Sequence, residues 1–294
     1  MNGRVAVITG ATRGIGRATA RGLARAGFET VLLCRTRKRA EQAVEELSAE
    51  TRLERFLPAA AELSDPAAIR AAADEVMGRF NQIHLLVNNA GIVNREYRET
   101  VEGIEETLSV NHLSYVRLTC ALLPGLLRAR GTRIVNLSSQ AHASEFNAAD
   151  FEGPSGWKGH RAYAQSKLLN MVFTFDLARR LQGSRIAVNA VHPGLIATQL
   201  LEGFVGPSVL LAPVRGLVRL IGKSPEAGAR TPLRVATDPI LTGITGEYFR
   251  KGTRDEAPAV ARDRSVQNEV REWTTRVSGL DWGEAVDTAL EGRR

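Results

Sequence analysis

The chain has 294 residues, 44% hydrophobic and 24% charged, enough to bury a full core. Its net charge of +7 comes mostly from arginine, since only Lys38, Lys158, Lys167, Lys223 and Lys251 are lysine. The basic residues are dispersed, with no run longer than Arg37-Lys38-Arg39, which argues against a nucleic-acid partner.

In chain order, short apolar runs alternate with helical patterns. Val5-Ala6-Val7-Ile8 predicts a buried parallel strand ending in a glycine turn. A helix is expected over residues 15–26, stopped by Gly27, then a strand at 30–34 and a helix at 39–50. Further strands are expected at 55–57, 84–87, 133–137, 186–191 and, last and short, 245–249. Helices are expected at 66–80, at 103–130 with a break near Leu123-Pro124, and at 160–181. This alternation predicts an α/β fold: a single doubly wound parallel sheet of the Rossmann type with helices on both faces. Ligands in such sheets bind beyond the carboxyl ends of the strands. One domain is expected over residues 1–294, with a substrate lid at 195–232 and a C-terminal extension at 251–294. Cys34 and Cys120 lie in apolar stretches and form no CxxC, the usage of a reducing, cytoplasmic setting. Met1-Asn2-Gly3-Arg4 runs straight into the first strand, leaving no room for a signal peptide. No stretch approaches ~18 uninterrupted apolar residues, so no membrane-spanning helix is expected, and no metal site is expected.

The turn Thr9-Gly10-Ala11-Thr12-Arg13-Gly14-Ile15-Gly16 has the build of a phosphate cradle. Gly10 permits the tight turn, Gly14 lets the backbone approach a diphosphate, and Gly16 lets the helix pack closely on the strand. The helix start then offers free N–H groups and the positive end of its dipole. Thr12, Arg13 and Ile15 belong to the same cofactor-binding turn. At the end of the second strand, an acidic residue would accept from a ribose 2′-hydroxyl and repel a 2′-phosphate. The chain has Cys34-Arg35-Thr36-Arg37-Lys38 there, and the Arg35 fork suits a phosphate, with Arg13 facing the same region. NADP(H) is therefore expected over NAD(H).

Tyr163 and Lys167 stand four apart in Tyr-Ala-Gln-Ser-Lys. Reducing a carbonyl generates an alkoxide that needs a proton and a donor hydrogen bond. A cation at i+4 lies near the phenol and favours phenolate, so Tyr163 is expected to donate in reduction and accept in oxidation.

Together with Asn88-Asn89-Ala90-Gly91, Asn111, Ser139 and Pro193-Gly194-x3-Thr198, these motifs resemble the short-chain dehydrogenases/reductases in order and spacing. The resemblance covers roughly residues 4–250. The segments from Ile134 to His142, Val110-Asn111-His112-Leu113, Val191-His192-Pro193-Gly194 and the tail around 269–280 resemble its retinol dehydrogenase-like branch. The resemblance implies that Lys167 also holds the nicotinamide ribose, that Ser139 hydrogen-bonds the substrate oxygen, and that Asn111 positions a water in a relay to Lys167. It makes Ser139, not Ser138, the active serine. It places Glu62 and Leu63 by the adenine and Asn89, Ala90 and Gly91 along the adenosine, with Asn88 bracing the sheet. Pro193, Gly194 and Thr198 would meet the carboxamide. Asn170 and His192 read as helix surface or supporting packing.

Three departures stand out. Glu62 occupies a position where the family usually has Asp, and His84 one where it often has an acid. Ser139 and Tyr163 are 24 apart, and the insertion at 145–160, with Phe146, Phe151 and Trp157, is expected to form a loop at the mouth of the site. The apolar segments at 200–205 and 209–221, carrying Arg215 and Arg219, suggest a lid over a small-molecule substrate that is a bulky, hydrophobic carbonyl or alcohol. A peripheral membrane contact through residues 210–220, or packing against a second copy in a homodimer, are the open alternatives. The leading function is reduction of a ketone or aldehyde to an alcohol, or the reverse. Reduction of an activated carbon–carbon double bond and a non-catalytic NADP(H)-binding regulator are the other readings.

Overall fold

The computed structural model describes residues 3–194 and 224–292. Seven strands run parallel: β1 (Arg4–Thr9), β2 (Phe28–Cys34), β3 (Phe56–Ala60), β4 (Leu85–Asn88), β5 (Thr132–Leu137), β6 (Ile186–His192) and β7 (Tyr248–Arg250). Their order is β3-β2-β1-β4-β5-β6-β7, and β8 (Thr253–Asp255) closes the edge antiparallel to β7. The order reverses between β1 and β4, so a crevice opens at their carboxyl ends, where the glycine turn and Asn89 sit.

The helices are α1 (Gly14–Arg25), α2 (Arg37–Thr51), α3 (Pro66–Arg79), α4 (Glu106–Leu108), α5 (Ser114–Arg128) and α6 (Gly159–Arg180). In the C-terminal part follow α7 (Pro225–Thr237), α8 (Ala259–Arg262), α9 (Arg264–Ser278) and α10 (Trp282–Glu291). Local chemistry sets several of their starts. Thr36 accepts from the Arg39 N–H, Asp65 from that of Ala67 with Pro66 as first helical residue, and Ser224 from that of Ala227. The central strands are buried on both faces. In β1, Val5 and Val7 join the core under α3, α5 and α6, while Ala6 and Ile8 join the core under α1, α2 and α7. Buried amides tie the central strands: Asn88 Nδ2 donates to Asn136 Oδ1 at 2.8 Å, and Asn136 Nδ2 to Thr174 Oγ1 at 3.0 Å.

The structure moves the expected helix break. Pro124 lies inside an uninterrupted α5, and the irregularity is a π-helical turn, Ser109–Leu113, between α4 and α5. Gly125 explains why the helix runs on past Pro124. A Cβ there would lie 2.6 Å from Met77 Sδ and 3.2 Å from Ile83 Cδ1, so α5 is clasped where its ladder loses one N–H. The segment expected as a lid, 195–232, ends in a regular helix. Residues 225–232 belong to α7, and Leu233 of that helix packs over Gly22 of α1. The lid segments at 200–205 and 209–221, with Arg215 and Arg219, lie outside the described residues.

The insertion is a loop with one short 3-10 turn, Ala148–Phe151, and only part of it stays by the cleft: Gly159 abuts Asn94 of the cleft wall, while the Phe146 and Phe151 rings pack on Trp273 of α9 at 5.3 and 5.7 Å. Aromatic burial draws these two rings toward the C-terminal extension; Trp157 turns back, edge-on to Tyr97 at 5.9 Å. In α10, Trp282 is fully buried, and its Nε1 donates to Asp176 Oδ2 at 2.8 Å. Asp176 also pairs with Arg179 and Arg180.

Candidate active site

The glycine turn and the Tyr163 helix meet along one cleft of about 840 Å³ at the carboxyl ends of the strands. Of the cofactor residues read from sequence, Gly10, Thr12, Arg13, Gly14, Ile15 and Gly16 line it, followed by Arg35, Glu62 and Leu63, then Asn89, Ala90, Gly91 and Pro193. Tyr163 and Lys167 line its far end. Gly194 follows Pro193 with φ 96° but lies outside the cleft wall, and Thr198 falls outside the described residues.

The glycines are used as the sequence suggests. Gly10 and Gly14 have φ of 70° and 58°, in the left-handed region that glycine tolerates. A Cβ at Gly16 would lie 2.2 Å from the Gly10 carbonyl oxygen, so no side chain fits between turn and helix. Asn89 braces the turn: its Nδ2 donates to the Thr9 carbonyl at 2.8 Å, while Thr9 Oγ1 accepts from the Asn89 and Ala90 N–H groups. A Cβ on Gly91 would come within 3.4 Å of Lys167 Nζ, so its absence keeps the floor of the cleft open. An elongated cleft with a left-handed glycine turn at a helix start and a bare backbone floor fits a nicotinamide dinucleotide.

At the adenosine end, Arg35 Nε meets Glu62 Oε2 at 3.2 Å, both side chains being largely exposed. The longer acid thus reaches the guanidinium while lining the cleft. Arg39, Gln42 and Glu46 also line this end, and the sequence reading missed them. Their spacing along α2 puts them on one helix face beside the glycine turn, a signal that becomes legible once that helix start is known.

At the far end, Ser138 and Ser139 divide their roles. Ser138 Oγ donates to the Lys167 carbonyl at 2.8 Å, whereas Ser139 Oγ accepts from the Ala141 N–H at 3.1 Å and hydrogen-bonds the Tyr163 phenol. Lys167 Nζ donates to the Leu137 carbonyl at 3.4 Å and lies 5.5 Å from the Tyr163 ring centre. Burial pushes the Tyr163 phenol up to about 12, against a smaller downward pull from Ser139. It pushes the Lys167 ammonium down to about 7. Burial thus drives each group toward its neutral form, against the pull toward phenolate expected of a neighbouring cation.

Asn111 sits in the π-helical turn with both ends of its amide engaged. Oδ1 accepts from the Ile92 N–H at 2.7 Å; Nδ2 donates to the Ile92 carbonyl at 2.9 Å and to Ser166 Oγ at 3.0 Å. Its Oδ1 keeps one acceptor position beyond the Ile92 N–H and lies 3.3 Å from where a Cβ on Gly91 would stand, beside the cleft floor. Neither Asn111 nor Ser139 forms the cleft wall, although both touch residues that do. His192 accepts from the Gln140 N–H at 3.2 Å, and His84 from the Val5 N–H at 3.1 Å, both bracing roles. Asn170 is fully buried, which corrects the helix-surface half of its reading. Among the described residues, no group of three or more His, Cys, Asp or Glu could hold a metal ion, and no helix is long and apolar enough to cross a membrane.

A strand–glycine turn–helix joined to a Tyr–Lys pair beside a serine defines an oxidoreductase of the nicotinamide-dependent kind. Residues 4–205 match the short chain dehydrogenase family, and the chain belongs to it. It is 36% identical to mouse retinol dehydrogenase 12 over 95% of this chain and 88% of that protein. It is 37% identical to mouse polyprenol dehydrogenase over 96% and 86%. Relatives of this kind place it in the retinol dehydrogenase-like branch, as an oxidoreductase acting on alcohol or carbonyl groups. A solved structure described as a putative uncharacterized protein from Mycobacterium paratuberculosis superposes with a TM-score of 0.75 at 28% identity, covering 95% of this chain and 94% of that one.

Proposed function

We propose that the chain is an NADPH-dependent reductase of a bulky hydrophobic aldehyde or ketone, also able to run the alcohol in reverse, with Tyr163 as proton donor. The observation that carries this reading is the joining of two chemistries in one cleft. Arg13, Arg35 and Arg39 gather where an adenosine 2′-phosphate would lie, and Tyr163 with Lys167 closes the other end. The order β2–Cys34–Arg35 offers a charge-assisted fork in place of the carboxylate that would select an unphosphorylated ribose.

A bound nicotinamide supplies the hydride. The protein supplies the rest. Ser139 and Tyr163 form a pair of donors for the substrate oxygen, and burial keeps the Tyr163 proton in place at neutral pH, ready to be given to the developing alkoxide. Lys167 would anchor the ribose and return a proton to Tyr163 through water held at Asn111. Gly10, Gly14 and Gly16 would cradle the diphosphate, over a floor formed by Asn89, Ala90 and Gly91. Pro193 would meet the carboxamide, and Glu62 and Leu63 would flank the adenine. Apolar wall residues Ile92, Val93 and Val110, and relatives named for retinol and polyprenol, support a long hydrophobic substrate. Cys34 and Cys120, unpaired thiols raised by burial to about 11 and 12, suit a reducing cytoplasm.

The test follows NADPH absorbance with a panel of hydrophobic aldehydes and ketones that includes retinal. Turnover by the wild type that disappears in Tyr163→Phe supports the reading. NADPH binding without turnover of any member would sink it.

A further inference from the structure

Behind the reacting groups lie buried polar side chains that the scheme above leaves unused: His112, Asn170 and Asp176. Asn170 follows Lys167 by three residues on α6. Its Nδ2 donates to the main-chain carbonyls of Asn111, at 2.9 Å, and Leu137, at 3.1 Å. Its Oδ1 faces His112 Nδ1 at 3.2 Å. Since the amide nitrogen serves both carbonyls, the amide oxygen must accept, so His112 carries its proton on Nδ1. The other imidazole nitrogen is buried without a partner, and the ring stands edge-on to Phe173 and Trp282 at 6.2 and 6.4 Å. Burial keeps His112 neutral by pushing it down to about 4. Trp282 is itself pinned by Asp176.

A line of contacts therefore runs from α10 through His112 to Asn170 and ends on two carbonyls. Both belong to the chemistry. The Asn111 carbonyl belongs to the residue that the family resemblance gives to the water relay, and the Asn111 amide is itself held by Ile92 and Ser166. The Leu137 carbonyl also accepts from Lys167 Nζ and leads directly into Ser138 and Ser139. An amide that holds two carbonyls 26 residues apart in sequence, with its own orientation set by an imidazole, does more than fill space.

We propose that Asn170, oriented by His112, is a positioning residue that fixes the Asn111 and Leu137 carbonyls, and through them Lys167 and the Ser139 turn, in proton-transfer geometry. The C-terminal extension acts on catalysis through this line. The proposal rests on the reductase reading for its kinetic arm only.

In that arm, Asn170→Ala lowers kcat at least tenfold, as misplacement of reacting groups does, with KM and the NADPH Kd within about twofold of wild type. Thr174→Val, which breaks the buried contact to Asn136 and the bond to the Asn170 main-chain carbonyl but leaves the Asn170 amide in place, serves as the destabilised control and keeps most of kcat. His112→Gln, which can still donate to Asn170, keeps more kcat than His112→Leu. Loss of kcat in Thr174→Val equal to that in Asn170→Ala, or Asn170→Ala with more than a third of wild-type kcat, overturns the proposal.

The second arm needs no substrate. With 13Cε-labelled lysine, the free protein has five lysine signals to resolve, and Lys167→Met assigns the one of interest. The titratable groups facing Lys167 are Tyr163 on its own helix, Tyr115 on α5 and His112 in the π-helical turn, all retained in Asn170→Ala. Removing Asn170 leaves the Leu137 carbonyl to the ammonium alone, so the Lys167 midpoint rises by about half a unit or more. An unmoved midpoint overturns the proposal. If wild type turns over no carbonyl, the reductase reading fails while this arm still decides the role of Asn170.

Discussion

The two ends of the cleft are built on opposite physical plans. Around Tyr163, the polar partners are buried: Asn111, Ser166 and Asn170 have no exposed surface and Lys167 only 4%. They are joined by hydrogen bonds to main-chain groups of three different elements. At the adenosine end, Arg35 and Glu62 have side chains 56% and 41% exposed and meet in solvent. An exposed ion pair contributes about 0–1 kcal/mol, whereas a buried polar group stripped of its partner costs about 1–3 kcal/mol. Cofactor preference can therefore be altered at one end with little effect on the fold. The chemistry at the other end cannot be shifted without shifting the core.

Four experiments sharpen or break that contrast. The largest effect belongs to Tyr163→Phe, which should lower turnover by about 10³-fold, the scale of a lost positioned proton donor. Its thermal midpoint should fall only slightly; a mutant keeping more than a tenth of wild-type turnover would show that another group donates the proton.

Next is Lys167→Met in the cofactor-free protein. Burial sets the folded pKa of Lys167 near 7, below its ordinary 10.5. Between those values the unfolded chain binds the extra proton, so this group makes stability rise with pH across the window. Below pH 7 the cost of holding the charge is complete, and above about 10.5 it vanishes. The mutant's gain in thermal midpoint over wild type should be largest near pH 6–7 and shrink toward pH 10. A gain independent of pH would mean that Lys167 is hydrated in the folded chain.

At the exposed end, Arg35→Asp should cut the ratio of NADPH to NADH affinity by about tenfold, one charge-assisted fork's worth, while leaving the thermal midpoint within about a degree or two. An unchanged ratio in titrations of both cofactors would remove Arg35 from the phosphate site and leave Arg13 and Arg39 to carry it. The smallest effect is expected of Glu62→Gln. Freed from its partner, Arg35 should bind NADPH no more than about threefold tighter, since water screens the pair already. A larger change would show that the two ends are less different than their exposure implies.

Much of this was legible in the sequence because the information is local. Gly10, Gly14 and Gly16 are fixed by what a turn of a few residues must do, and the Tyr163–Lys167 spacing places both on one helical face. The choice of Ser139 over Ser138 rests on family resemblance; in the structure Ser138 lines the cleft with its hydroxyl turned to the Lys167 carbonyl. Where the reading went astray, the missing information was tertiary. Pro124 does not break its helix because Met77 and Ile83 clasp Gly125 from other elements. Phe146 and Phe151 leave the mouth of the site because Trp273, more than a hundred residues later, offers them a partner.

By itself, then, the sequence determined the alternation of strands and helices, the phosphate cradle, the Tyr–Lys pair and the basic end of β2. Each of these depends on residue type and short spacing alone. Only the tertiary structure decided how strongly burial acts on Tyr163 and Lys167, that Arg35 and Glu62 face one another, that Arg39 joins the cleft, and that Asn170 holds two distant carbonyls. Those facts depend on which surfaces meet when water is excluded, and no window of neighbouring residues records that.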